Sequence, residues 1–391
     1  MNIALFTDTY PPFINGVSTS VYNLAHTLMD HGHNVIVVTP RSDDGELEFK
    51  DNVLRVPGVE MKKLYGYRLT KIYSSSLFNI IKDFDPDVIH NQTDSTIGIF
   101  AKICARQLNC PTVYTYHTSL EDYTYYITKG FFDRLAKKIV RSYSNSVAKY
   151  STEYITPSIK IKEFMRYAGN DIYVNVIPTG INFSLFSKDK IDQERMKEFK
   201  NNRGITDKTK IFLILGRVAK EKSMDVSIKC FAHYHFKHPE VDKRLIIVGD
   251  GPQRAELEML VNELKINDVT EFIGAVPASE VPFYYNLADI YTSASVTETQ
   301  GLTFMEAMVS EAIIIARYDD NLNDVIIDGK TGFFFTNEET FAAKVEKIFE
   351  MDEDKLNQIK KNALEICDAY SIENFYKNIM EVYNRAIRKY W

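Results

Sequence analysis

Four cysteines in 391 residues, Cys104, Cys110, Cys230 and Cys367, stand without a Cys-x-x-Cys pair or a histidine cluster beside them. That scatter excludes a disulfide framework and offers zinc no ligand set, so reduced, cytosolic thiols are expected. No apolar run approaches the roughly 18 residues that a membrane-spanning helix needs, and no signal-like segment is read ahead of the first strand. Neither a bilayer span nor export is expected. Internal repeats and low-complexity tracts are absent as well. The one Asp-x-Asp match near a strand, Asp85-Pro-Asp87, reads as a turn, so no motif for a divalent metal is recognised and none is expected to be required. With 47 basic against 53 acidic residues the chain is acidic overall, and it carries no nucleic-acid-binding motif. Nucleic acid is therefore not an expected partner.

What the chain has is length and alternation. At 391 residues it is too long for one ordinary core and suits two α/β domains. Apolar strands at Asn34 to Val38, Val88 to His90, Thr112 to Tyr116, Tyr154 to Thr156, Arg244 to Val248 and Ile290 to Ser293 alternate with helical segments, which predicts parallel sheets. The highly charged stretch from Ser187 to Arg203 places a boundary there, giving domains over 1–190 and 191–370. From Ser371 to Trp391, Phe375, Ile379, Val382 and Ala386 recur at helical spacing, which predicts one amphipathic helix over 371–391.

Three clusters carry chemistry. The first is Glu298-Thr-Gln-Gly-Leu-Thr-Phe-Met-Glu306, at a predicted strand-to-helix junction. A helix opening near Gly301 puts Glu306 about one and a half turns in and leaves Glu298 on the loop, so the two carboxylates address different parts of one ligand. The helix N-terminus would face phosphates, a pattern that suits a sugar nucleotide; an acidic loop before an ordinary helix is the plain alternative. The second is Ile211-Phe-Leu-Ile-Leu-Gly216-Arg217-Val-Ala-Lys220-Glu-Lys222, an apolar strand that stops at a glycine and delivers Arg217 and Lys222 as candidate diphosphate-binding cations, with Lys220 solvated. The third reads strand, loop, helix: Ile3-Ala-Leu-Phe-Thr, then Asp8-Thr-Tyr-Pro-Pro, then Asn15-Gly16-Val17. Gly16 brings bare backbone to a phosphate, or simply makes a turn.

Together these clusters resemble the family 4 retaining glycosyltransferases of the GT-B fold over essentially the whole chain. The resemblance implies an α/β architecture of two Rossmann-like domains facing an interdomain cleft, with the terminal helix crossing back onto the N-terminal domain. It implies that Glu306 binds the ribose hydroxyls of the donor. Glu298, with the backbone of Thr299, Gln300, Gly301 and Leu302, is matched to the donor sugar, and His117, in Thr115-Tyr-His117-Thr118, is placed beside that sugar. Gly251, in Gly249-Asp250-Gly251-Pro252, belongs either to a donor-side loop or to a plain turn. Breaking the bond from anomeric carbon to phosphate leaves negative charge on the nucleoside diphosphate, which Arg217 and Lys222 would stabilise without a metal or other cofactor.

Charge points to the acceptor. Residues 1–190 hold 21 Lys/Arg and 19 Asp/Glu, net +2, against 26 and 34, net −8, in the rest. From Lys129 to Arg166 nine basic residues face three acidic ones, net +6. From Arg55 to Lys82 six face Glu60 alone, net +5, interleaved with aromatic and aliphatic side chains. Basic residues mixed with apolar ones on an amphipathic helix are what an anionic membrane surface attracts, each worth about 1 kcal/mol. A solvated helix face is the alternative. This distribution, with Asn15-Gly16-Val17 and Gln300 where many members carry Phe, resembles the bacterial 1,2-diacylglycerol 3-alpha-glucosyltransferases within family 4. The expectation is a retaining hexosyltransferase that moves glucose from a UDP-sugar to diacylglycerol, cytoplasmic and peripheral on the inner face of the cell membrane. The competing expectations are a soluble sugar-like acceptor on the same fold, or a sugar-nucleotide-binding protein without activity.

Overall fold

The computed structural model describes residues 1–13, 16–61, 68–117, 151–159, 162–163, 173–295 and 300–391. The chain divides into two compact units, one of Met1–Gly180 with Ile372–Trp391 and one of Ile181–Ser371.

In unit 1 the strands are β1 (Asn2–Phe6), β2 (Asn34–Pro40), β3 (Glu48–Lys50), β4 (Val53–Val56), β5 (Gly58–Glu60), β6 (Arg68–Thr70), β7 (Val88–Asn91), β8 (Thr112–Thr115), β9 (Glu153–Thr156) and β10 (Val174–Val176). Among the described residues eight of these form one sheet in the order β10-β9-β8-β7-β1-β2-β4-β3, parallel except for the β3–β4 pair. Ile3 to Phe6 are fully buried, which is why the central strand reads as an unbroken apolar run rather than an alternation. Helices α1 (Gly16–Asp30), α2 (Ser75–Phe84) and α3 (Thr96–Leu108) cross over the sheet, α1 burying Val21, Leu24, Ala25 and Leu28. Asp85 closes α2 in the left-handed conformation, and Asp87 accepts the Asn2 amide at 2.7 Å, so Asp85-Pro-Asp87 works as a turn.

The terminal helix, Ile372–Tyr390, packs Phe375, Ile379, Val382, Tyr383 and Ala386 into the same core as β1 and α1. Each large apolar side chain on that stripe contributes roughly 1.5–3 kcal/mol of burial. The helix is also pinned by charge: Arg385 grips the buried Glu153 with Nε at 2.8 Å and Nη2 at 3.0 Å, and Lys389 adds a contact at 2.6 Å. These partners hold the Glu153 carboxyl down to about 2 against the upward push of its own burial.

Unit 2 comprises α4 (Gln193–Asn202), β11 (Lys210–Leu215), α5 (Met224–Lys237), β12 (Lys243–Val248), α6 (Arg254–Glu263), β13 (Thr270–Gly274), α7 (Val281–Leu287), β14 (Ile290–Ser293), α8 (Leu302–Val309), β15 (Ile313–Arg317), β16 (Phe333–Phe335), α9 (Glu338–Phe349) and α10 (Glu353–Asp368). Its sheet is wholly parallel, in the order β13-β12-β11-β14-β15-β16. The change of unit falls between Gly180 and Ile181, earlier than the charged stretch that suggested it. That stretch belongs to unit 2. Asp192 caps α4 through the amides of Glu194 and Arg195, Met196 is buried, and Arg203 holds Glu271 at 2.7 and 2.8 Å.

Most of the basic 129–166 segment lies outside the described residues. The stretch from 55 to 82 departs from the single amphipathic helix expected of it. Its described residues form the end of β4, the antiparallel β5–β6 pair and then α2. Arg68 faces inward, 6% exposed, donating to the Gly58 carbonyl and paired with Asp44, so it adds nothing to a surface patch. Val59, Leu69, Ile72 and Tyr73 remain exposed around Lys71.

Candidate functional site

In an open parallel sheet ligands collect beyond the carboxyl ends of the strands. At that edge of unit 2, β11 runs into Gly216-Arg217-Val218 and β12 into Gly249-Asp250-Gly251. The two loops are laced by backbone: Gly216 donates to Val248, Val218 to Asp250 and Gln253 to Val218, all at 3.0–3.1 Å. A Cβ on Gly249 would lie 1.8 Å from the Gly216 carbonyl oxygen, and one on Gly251 would lie 2.4 Å from that of Val218. The glycines of the Gly249-Asp-Gly turn therefore serve first to seat the loop that carries Arg217.

Arg217 projects outward, its side chain 46% exposed and paired with Glu221 one turn on. Lys220 is exposed, whereas Lys222 is half-buried at the end of a short 3-10 turn that Ser223 closes at φ 47°. Lys222 lines a small cavity with Gly216, Tyr291, Ser293 and Thr303. Ser227 and Thr292 line it too, their hydroxyls buried and without a hydrogen-bond partner among the described residues. Helix α8 opens at the same place. Its cap is Gly301, at φ 70°, which has no side chain to offer the first amides. A helix N-terminus beside a lysine attracts phosphate. Leu302 packs on the core behind it, Gln300 is half-buried just ahead of it, and Glu298 and Thr299 lie outside the described residues.

Glu306, the fifth residue of α8, accepts a hydrogen bond from the Tyr285 hydroxyl at 3.0 Å. Desolvation pushes its carboxyl from 4.5 up to about 7, with Tyr285 pulling the other way. Tyr285 is the side-chain donor to this carboxyl among the described residues, and a desolvated carboxylate is stabilised by further donors such as hydroxyls. Tyr285 carries no motif and escapes sequence reasoning.

At the corresponding edge of unit 1, Gly16 is exposed at the first position of α1, and a Cβ there would meet nothing within 4 Å among the described residues. Neither crowding nor a left-handed backbone explains this glycine, which leaves its backbone open to a ligand. His117 follows β8, half-buried, with Nε2 2.5 Å from the Gln92 carbonyl oxygen, and burial holds its ring down to about 4. Behind it the fully buried His90 is held down to about 3, chiefly by burial and then by His117. Beside them Asp8 accepts from Thr93 and Ser95, while Asp94, pushed by burial to about 6, has no partner for Oδ1 among the described residues. Sequence names Asp8 and His90 only as parts of a loop and a strand, and Gln92 and Asp94 not at all, because partners such as Thr93, Ser95 and Tyr383 come from segments distant in the chain.

Comparison with known proteins places this arrangement. Residues 14–185 match the family model described as Glycosyltransferase Family 4, and residues 195–365 match that described as Glycosyl transferases group 1. The alpha-monoglucosyldiacylglycerol synthase of Acholeplasma laidlawii is 34% identical over 394 aligned positions, covering 100% of this chain and 98% of that protein. The chain belongs to the family 4 glycosyltransferases. The Streptococcus pneumoniae protein of the same name is 33% identical over 99% of this chain and 86% of its own length. Among solved structures, the Anabaena protein HepE in complex with UDP and glucose superposes with a TM-score of 0.73 at 15% identity, covering 97% of this chain and 98% of that one. A sucrose-phosphate synthase from Thermosynechococcus elongatus gives 0.72 at 20% identity, with 99% of each chain covered. The architecture is GT-B, two Rossmann-like α/β units, and this glycosyltransferase is an enzyme. Among the described residues no helix is long and apolar enough to cross a membrane, and no group of three or more His, Cys, Asp or Glu is placed to hold a metal ion.

Proposed function

We propose that this enzyme transfers glucose from UDP-glucose to the free hydroxyl of 1,2-diacylglycerol, with retention, while resting on the inner face of the cell membrane. The observation that carries the reading is full-length similarity, at 34% and 33% identity, to two alpha-monoglucosyldiacylglycerol synthases. A cavity in unit 2 is consistent with it: Lys222 and Thr303 in the first turn of α8 line it together, with Glu306 further along the helix.

In this reading Glu306 takes the ribose hydroxyls, while Glu298 and the backbone of Thr299, Gln300, Gly301 and Leu302 address the sugar. Arg217 exchanges Glu221 for the diphosphate. Lys222 and the α8 amides complete the neutralisation, so no metal and no other cofactor is required. Gly251 acts through the loop that seats Arg217. In unit 1, the Gly16 backbone admits a phosphate oxygen and His117 meets a sugar hydroxyl. The anomeric carbon loses its bond to the phosphate oxygen and gains one to the acceptor oxygen on the same face. The acceptor proton passes to the departing phosphate, which dispenses with a protein base. Val59, Leu69, Ile72 and Tyr73, exposed around Lys71, supply an apolar and basic surface suited to anionic lipid.

The test is an acceptor screen with radiolabelled UDP-glucose and UDP-galactose on mixed micelles of diacylglycerol and anionic phospholipid, with and without EDTA. Label is expected from UDP-glucose in a single chloroform-soluble α-glucosyl lipid, undiminished by EDTA. Label confined to water-soluble products would replace the lipid acceptor with a soluble one. Absence of transfer to any acceptor, with UDP still bound, would leave a binding protein.

A further inference from the structure

The His117 ring is the last member of a series of polar side chains within hydrogen-bond distance of one another. Tyr383, on the terminal helix, is fully buried and its hydroxyl stays protonated, since burial drives its ionisation well beyond the ordinary range. That hydroxyl lies 2.7 Å from His90 Nδ1, and the Thr115 hydroxyl lies 2.7 Å from His90 Nε2. His90 is neutral, so one nitrogen donates and the other accepts. We assign Nδ1 as the accepting one, with the Gln92 Nε2 amide group 3.5 Å from the same nitrogen. With its NH2 turned to His90, Gln92 presents its carbonyl oxygen to His117 Nε2 at 2.5 Å. A carbonyl only accepts, so His117 carries its single proton on Nε2.

We propose that Gln92 is a positioning residue for the transfer reaction: it fixes the tautomer and ring orientation of His117, leaving Nδ1 as the acceptor nitrogen that meets a hydroxyl or another donor of the substrate. His90, clamped between Thr115 and Tyr383, fixes Gln92 in turn. The role of Gln92 rests on the assignment of His117 to the substrate, but the tautomer does not, and the two are tested separately. Gln92 itself touches no reacting atom. Its buried amide, 5% exposed, is what an oriented second layer behind a reacting ring requires.

Nitrogen-15 NMR of histidine-labelled, ligand-free enzyme reads the tautomer directly, with His117→Asn assigning the signal. In the native enzyme His117 is expected protonated on Nε2 alone. In Gln92→Leu the two tautomers should interconvert and kcat should fall about 10- to 100-fold, since a ring misplaced by an ångström carries that scale of penalty, with a smaller change in donor KM. Gln92→Glu keeps an acceptor for Nε2 and should recover both the single tautomer and most of the lost kcat, in a side chain of the same shape. A native His117 protonated on Nδ1, or a Gln92→Leu enzyme with an unchanged tautomer or undiminished kcat, overturns the proposal. If the acceptor named above is wrong, the substrate-free spectra keep their expected form and only the micelle assay fails.

Discussion

Replacing Glu306 with glutamine turns one desolvated carboxyl into a measurable pH dependence. In the folded protein this carboxyl titrates near 7 instead of its ordinary 4.5, chiefly because burial strips water from the charged form. Between those two values the folded chain keeps a proton that the unfolded chain has lost. Stability from this group therefore falls as pH rises through the window from 4.5 to 7, is level above it, and is fully retained below it. At about 1.36 kcal/mol for each pH unit the loss reaches about 3 kcal/mol. Glu306→Gln has the same shape, still accepts from Tyr285 and never ionises. Urea unfolding of both proteins from pH 4.5 to 8 isolates the effect, because other titrating groups cancel in the difference. The variant should match the native enzyme near pH 4.5 and exceed it by about 3 kcal/mol at pH 8. A second consequence follows from the ribose assignment. UDP hydroxyls that donate to the carboxylate favour its charged form, so native affinity for UDP should rise with pH through 7 while that of the variant stays flat. A stability difference that does not change with pH would refute the claim that Glu306 is desolvated. A flat native affinity would refute only its ribose role.

Three other substitutions separate packing from ligand contact. Gly16→Ala should leave stability unchanged or raise it by up to about 1 kcal/mol, since nothing crowds the new methyl, yet lower activity at least about tenfold in the micelle assay; full activity would return Gly16 to a plain helix start. Gly249→Ala should cost more than about 2 kcal/mol in urea unfolding, because its Cβ would lie 1.8 Å from the Gly216 oxygen at φ +132°. An unchanged midpoint would mean that the Arg217 loop is not seated as described. Arg217→Ala should reduce turnover about 100-fold or more and leave sedimentation with anionic vesicles intact. Neutralising Lys137, Lys138 and Arg141 together should do the reverse, and equal losses in both assays would contradict this division.

What sequence could reveal depended on whether the governing interaction is local. Central strands such as Ile3 to Phe6 are buried on both faces, so their burial is written as a contiguous apolar run, and the stripe of the terminal helix is written at its own period. Glycine followed by Arg217 and Lys222 is likewise contiguous, because strand, turn and cations fall within one short segment. The stretch from 55 to 82 misled because three-residue strands are too short to establish a period, and because Arg68, a charge in composition, spends its charge on Asp44 and the Gly58 carbonyl. The Ser187 to Arg203 segment misled in the opposite sense: charge on the outer faces of a short helix looks like a linker until Met196 and the Arg203–Glu271 pair anchor it. Least legible of all was the setting of His117. Gln92 lies 25 residues away and Tyr383 lies 293 residues from His90, so a polar series this directional is invisible until strands and terminal helix are assembled. The same distance has a mechanical consequence. The terminal helix is more than a cover for an apolar face, because a buried hydroxyl on it contacts His90, the histidine that stands behind Gln92. Loosening that helix, as by removing the Arg385 grip on Glu153, should therefore disturb the His117 tautomer before it unfolds the sheet, which histidine NMR at rising urea would show directly.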